Sequence, residues 1–131
     1  MLRAYFLDCD FYPKILFVGD KPDIVPLLDI FDEFIDFGKI IHIQDHPQLS
    51  LQNFNLALML CEEQEQGILK VTDQSFVWHI SLKQAQDYYL ELEELLCQPE
   101  QSGSHTWEMR RLDEIKVKIS MNEFDDSYLQ D

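Results

Sequence analysis

The sequence predicts an α+β fold: a two-layer sandwich with two helices on one face of a mainly antiparallel sheet, in the order ββαββββαββ. Three observations lead there. Apolar residues recur at three and four in two stretches, one closed by Gly38 and one opening at Ser81. Short runs rich in β-branched and aromatic residues surround these stretches and follow one another between them. No Pro/Gly/Ser-rich linker or change of composition divides the 131 residues, a length that suits one core, so 1–131 is expected to form a single domain. Helices that each bury one stripe need a sheet face to bury it against.

Taken in order, residues 2–7 and 15–18 read as strands around a turn holding Asp8, Asp10 and Pro13. Ile15-Leu16-Phe17-Val18 is apolar on both faces, which predicts a central strand. In the first helix Asp23 is expected as the N-cap, with Pro26 in the tolerant first turn and Gly38 as the stop. Ile24, Leu27, Leu28, Phe31, Phe34 and Ile35 form its apolar stripe, and Asp29, Asp32, Glu33 and Asp36 its outer face. Residues 39–44 alternate loosely as a strand, a polar loop follows, 54–61 is a strongly apolar strand, and Glu62, Glu63 and Glu65 lie in an acidic turn. Residues 68–71 and 76–80 predict a hairpin. Ser81 and Gln84 match a capping box opening the second helix, whose expected stripe is Leu82, Ala85, Tyr89, Leu92 and Leu96. That helix should end near Cys97, before Pro99 and Gly103. Strands at 106–110 and 115–120 complete the order; in the latter, Ile115, Val117 and Ile119 alternate with Lys116 and Lys118. The far sheet face is expected to be semi-polar, displaying some of Arg3, His42, Lys70, His79, Arg110, Lys116 and Lys118.

Charge and composition then narrow the function. With 25 acidic against 10 basic residues the formal charge is −15, and each part of the chain shares the excess. Such a field disfavours nucleic acid and anionic membranes and speeds encounter with a basic protein, although acidity also serves solubility alone. A 46% hydrophobic composition argues for a folded chain rather than a disordered one. Cys9, Cys61 and Cys97 are odd in number and widely spaced, the pattern of reduced, partly buried thiols. The opening residues lack a secretory pattern and no run approaches the roughly 20 apolar residues of a membrane span, so a cytoplasmic protein is expected.

No recognisable reactive centre emerges. His42, His46, His79 and His105 with Asp8, Cys9 and Asp10 offer metal-ligand chemistry, but not at the spacing of a known site. No serine or cysteine sits in a nucleophile motif, and Cys61 and Cys97 read as small core residues. Asp8 and Asp10 lead into a proline turn and a strand rather than the helix that phosphoryl chemistry needs, and the four glycines are isolated. Arg110 and Arg111 with Lys116 and Lys118 are too few for nucleic-acid binding and read as counter-charges to Glu108, Asp113 and Glu114. A non-enzymatic chain with no cofactor and no metal is therefore expected.

The remaining signal is the anionic exterior: Asp29, Asp32, Glu33, Asp36, Glu62, Glu63, Glu65, Glu123, Asp125 and Asp126. Carboxylates on rigid elements suit capture of a basic partner, and equally a solvated face. His105-x-Trp107, then Ile115-Lys116-Val117-Lys118-Ile119-Ser120, then Glu123-Phe124-Asp125-Asp126, resembles the ending of small acidic bacterial proteins. Several of that diffuse group are immunity proteins of contact-dependent or polymorphic toxin systems. The likeness covers residues 105–126 and implies stoichiometric neutralisation of a cognate toxin domain, while immunity proteins share no single fold. Two other classes stay open: a small enzyme or ligand-binding domain with its site on the open sheet face around His42 and His79, and an adaptor or self-associating domain. The sequence leaves the oligomeric state undetermined.

Overall fold

The computed structural model describes residues 1–7, 13–98, 103–107 (backbone only) and 115–121. Its strands are β1 (Leu2–Leu7), β2 (Lys14–Gly19), β3 (Ile41–His42), β4 (Leu49–Leu51), β5 (Asn55–Leu60), β6 (Gly67–Thr72), β7 (Ser75–Ile80), β8 (Gly103–Trp107) and β9 (Lys116–Met121). Helix α1 (Lys21–Phe37) follows β2 and α2 (Leu82–Cys97) follows β7. The expected α+β class is the observed one. Its strands form two open mixed sheets, ordered β4-β1-β2-β9-β8 and β3-β5-β7-β6. Four of the seven pairings are antiparallel; β1 with β4, β2 with β9 and β5 with β7 are parallel.

The division has a physical origin in the loop read as structureless after residue 45. Ile43–Asp45 turns as a short 3-10 helix, which ends β3 earlier than expected, and Leu49–Leu51 then lies parallel to β1 as an unforeseen strand. A buried Leu49 rewards that pairing, and Asn53 fixes its end by accepting from the Phe6 amide at 2.8 Å and donating to the Phe6 carbonyl at 2.9 Å. The last strand pair likewise begins at Gly103, before the expected residue 106. β2 is central as predicted, and Leu16 and Val18 are buried on the face away from the shared core.

Helix α1 starts earlier than its sequence suggested. Asp20 is the N-cap and Asp23 the third helical residue, because Pro22 already occupies the first turn, where a missing N–H costs little. The Asp20 amide donates to Asp23 Oδ2 at 3.0 Å and the Met1 ammonium donates to Oδ1 at 2.7 Å. Pro26 consequently lies inside the helix. Of the apolar stripe as read, Ile24, Leu27, Phe31 and Phe34 are buried and Leu28 and Ile35 half-buried, with Pro26 and Ile30 added to the buried face. Gly38 ends the helix in the left-handed conformation (φ 63°), its amide donating to the Phe34 carbonyl at 2.8 Å. In α2 the hydroxyl of Ser81 accepts from the Gln84 amide at 3.1 Å, while Gln66 rather than Gln84 takes the Ser81 amide.

The buried stripe of α2 is Ala85, Tyr88, Leu92 and Leu95, one step round from the expected set; Leu82 is exposed, and Tyr89 and Leu96 are half-buried. The reason is aromatic packing. Phe31 of α1 meets Trp78 of β7 edge-on at 5.9 Å and Tyr88 of α2 at 5.9 Å, and Trp78 and Tyr88 are 5.6 Å apart. Phe6 of β1 meets Phe76 of β7 at 4.6 Å, so both helices and both sheets share one core.

Truncating Phe31 to alanine should cost about 3–5 kcal/mol of unfolding free energy in urea titration, whereas Val25→Ala on the exposed flank of the same helix should cost well under 1. The hydrogen bond from the Met1 ammonium, then that from the Asp20 amide, hold the Asp23 carboxyl below its usual 3.8. Its contribution to stability is complete above that unfolded value and is lost as pH falls through the lower folded one. Asp23→Asn should therefore be less stable than the unaltered chain at pH 6, the gap closing near pH 2; an equal gap at both would contradict this role.

Candidate functional site

Asp29, Asp32, Glu33 and Asp36 are all exposed on α1, as their spacing predicted. Pairing of the helices brings α2 alongside and adds carboxylates that sequence reasoning overlooked. Half-burial, followed by the charges of Glu93, Asp32 and Asp29, pushes the Tyr89 phenol above its ordinary value, so carboxylates of both helices converge on this ring. Periodicity gives each helix its outer side but not which outer sides adjoin.

At the C-terminal end of α1 the surface changes character. Phe37 (67% exposed) and Ile40 (51%) stand on either side of the turn made by Gly38. Together with Glu33, Lys39 and Ile41 they line a cavity of about 320 Å³. Gly38 abuts β5: a Cβ built on it would lie 3.6 Å from Leu60 Cδ2. Leu60 and Leu82, each 46% exposed, line a second cavity of about 530 Å³ with Glu62, Glu63, Glu65 and Lys83. Glu33 of α1 and the turn at 62–65 thus border a strip of exposed apolar residues, Phe37, Ile40, Leu60 and Leu82, joined where Gly38 approaches Leu60. The strip was missed because its residues are far apart in the chain; the one local hint was a phenylalanine beside a helix-ending glycine.

The described part of the chain holds only some of the other expected residues. Glu123, Asp125, Asp126, Asp8, Cys9, Asp10, Arg110 and Arg111 lie outside the described residues, and only the backbone is described for His105 in β8. The single semi-polar sheet face does not form, because the strands divide: Arg3, Lys116 and Lys118 belong to the five-stranded sheet, and His42, Lys70 and His79 to the four-stranded one. His42 is in register with Ala57, and His79 with Met59, so β5 separates the two imidazole-bearing strands. Among the described residues no three of His, Cys, Asp and Glu group as metal ligands, and no helix is long and apolar enough to cross a membrane. Cys97 is exposed and Cys61 half-buried, which corrects their assignment to the core: Cys97 follows the Leu95–Leu96 edge of the stripe, and Cys61 ends β5 at the rim of the larger cavity. Against protein-family models, curated proteins and solved structures, the chain finds no match.

Burial, then the charges of Glu65 and Glu62, push the Cys61 thiol above its usual 9.0. A maleimide or disulfide reagent at pH 8, with peptide mass mapping, should label Cys97 well before Cys61. Glu62→Gln with Glu65→Gln should speed labelling of Cys61 and leave Cys97 unchanged; equal rates at the two thiols would contradict the assigned environment.

Proposed function

We propose that this chain is an immunity-like protein of the cytoplasm that neutralises a cognate toxin domain by stoichiometric binding. The observation that carries the reading is the exposed apolar strip between two groups of carboxylates. A stable protein contact has an apolar centre from which water is expelled and a polar rim that sets orientation and encounter rate. Phe37, Ile40 and Leu60 supply such a centre, and Asp29, Asp32, Glu33, Asp36, Glu62, Glu63 and Glu65 an anionic rim. Glu123, Asp125 and Asp126 belong to the same proposal through the resemblance of residues 105–126 to immunity proteins. The complementary partner is a basic surface with an apolar anchor. If that surface is a nuclease cleft, the carboxylates take the place of substrate phosphates. Neutralisation by occlusion needs no reactive centre and no cofactor.

The placement of Asp36 supports the reading from folding energetics. It lies in the last turn of α1, where the dipole disfavours a negative charge by about 0.3–1 kcal/mol, and that turn carries no basic residue. An acid group set against its own helix is accounted for when a cation from outside meets it.

Three measurements test this. Asp36→Asn should raise the stability of the free protein by about 0.3–1 kcal/mol while weakening partner capture. Immobilised protein should retain a basic protein from lysate of its source cells at 50 mM salt and release it near 500 mM; Phe37→Ala should reduce retention about 10- to 100-fold. Expressed alone, the captured protein should arrest growth, and co-expression of this chain should relieve the arrest. Absence of a basic partner at either salt concentration, or a captured protein that is harmless when expressed alone, would refute the proposal.

A further inference from the structure

The outer face of the four-stranded sheet differs from the rest of the exterior. Alternation with buried Leu56, Leu58, Phe76, Trp78 and Ile68 turns Ala57, Met59, Val77, His79 and Leu69 outward. With His42, Asn55 and Ser75, these outward positions hold no carboxylate among the described residues, on a chain whose formal charge is −15. Leu69 is 53% exposed and Val71, beside it on the edge strand β6, 63%. Pairing places His42, Ala57, Val77 and Leu69 in one row across β3, β5, β7 and β6. That row has a hollow and a projection. A cavity of about 260 Å³ opens over Ala57, bounded by His42, Val71 and Val77, and Leu69 stands on the opposite side of Val77.

We infer that this face is the contact surface for a second copy of the same chain. In a two-fold contact each surface must complement itself. An axis lying in the plane of contact, parallel to β7 and passing at Val77, carries Leu69 of each copy over the Ala57 hollow of the other, since both residues stand one strand spacing, about 4.8 Å, from β7. The next row repeats the complementarity: Met59 of β5 lies across β7 from Gly67 of β6, so a long side chain comes over a position with none. Stacking sheets at about 10 Å then buries a patch of roughly 20 Å by 20 Å on each copy, the low end of interface size and the range of weak, reversible dimers. Charge selects the occupant. A symmetric contact through the helix face would set Asp29, Asp32 and Glu93 against their own copies, whereas the sheet face lets two strongly anionic molecules meet without opposing carboxylates.

This contact goes beyond toxin binding and responds oppositely to salt: screening weakens capture of a basic partner but strengthens association of two anions. The test is sedimentation equilibrium of the full chain at about 100 μM in 0.05 and 0.5 M sodium chloride. We expect reversible dimerisation, with the dimer fraction several-fold higher at 0.5 M. Leu69→Glu and, independently, Ala57→Phe, which fills the hollow, should leave monomers at both salt concentrations with unchanged circular dichroism. Phe37→Glu, at the helix end, should leave dimerisation intact. A monomeric unaltered chain at 100 μM in 0.5 M salt would overturn the inference, as would a dimer that survives Leu69→Glu or is dissolved by Phe37→Glu.

Discussion

Phe31, Trp78 and Tyr88 come from α1, β7 and α2, and their mutual contacts bind the helix pair to the four-stranded sheet. Which residues of the two helices face outward follows from that junction. With Phe31 turned inward, Asp29, Asp32, Glu33 and Asp36 must face out. With Tyr88 rather than Tyr89 as the inner residue of α2, Tyr89 is left at the helix seam among Asp29, Asp32 and Glu93. Fully buried aromatic side chains make such a junction costly to separate, so the carboxylates sit on a rigid support. Rigid support matters for recognition because ordering a flexible surface on binding would subtract from affinity.

Charge then divides the exterior into two regions. Around Gly38 and Leu60 the apolar strip is bordered by carboxylates, while the outer face of the four-stranded sheet carries none among its described residues. On a chain with 25 acidic residues the second arrangement is the less expected of the two. For the two proposed contacts, one with a cationic partner and one with a second copy, the solvent ions that would weaken the first would favour the second.

Local signals in the chain were strong where one element alone decided the outcome. Gly38 as a stop, Ser81 as a cap, the stripe of α1 and the central placement of β2 all depend on neighbours within a few residues. One departure was also local: Asp23 lost the capping position because Pro22 could begin the helix earlier. Two departures depended on distant contacts instead. Leu49–Leu51 has no strand character without β1 beside it, and the stripe of α2 was fixed by Trp78 and Phe31 rather than by spacing, since Tyr88 and Tyr89 fit a periodic pattern equally well. The candidate site was half legible for the same reason. Its acidic rim on α1 and at 62–65 was read directly, but the apolar centre joins residues 37, 40, 60 and 82 only after β5 comes against Gly38.

The aromatic junction, with Phe6 against Phe76, holds the helices and both sheets as a single cooperative unit. Urea unfolding of a Trp107→Phe chain, which leaves Trp78 as the only tryptophan, tests it most directly when fluorescence and far-ultraviolet circular dichroism are followed together. One core predicts coincident transitions with the same midpoint and slope in both signals. A fluorescence change completed before the loss of helix and sheet would show that the junction opens by itself, and would contradict the account.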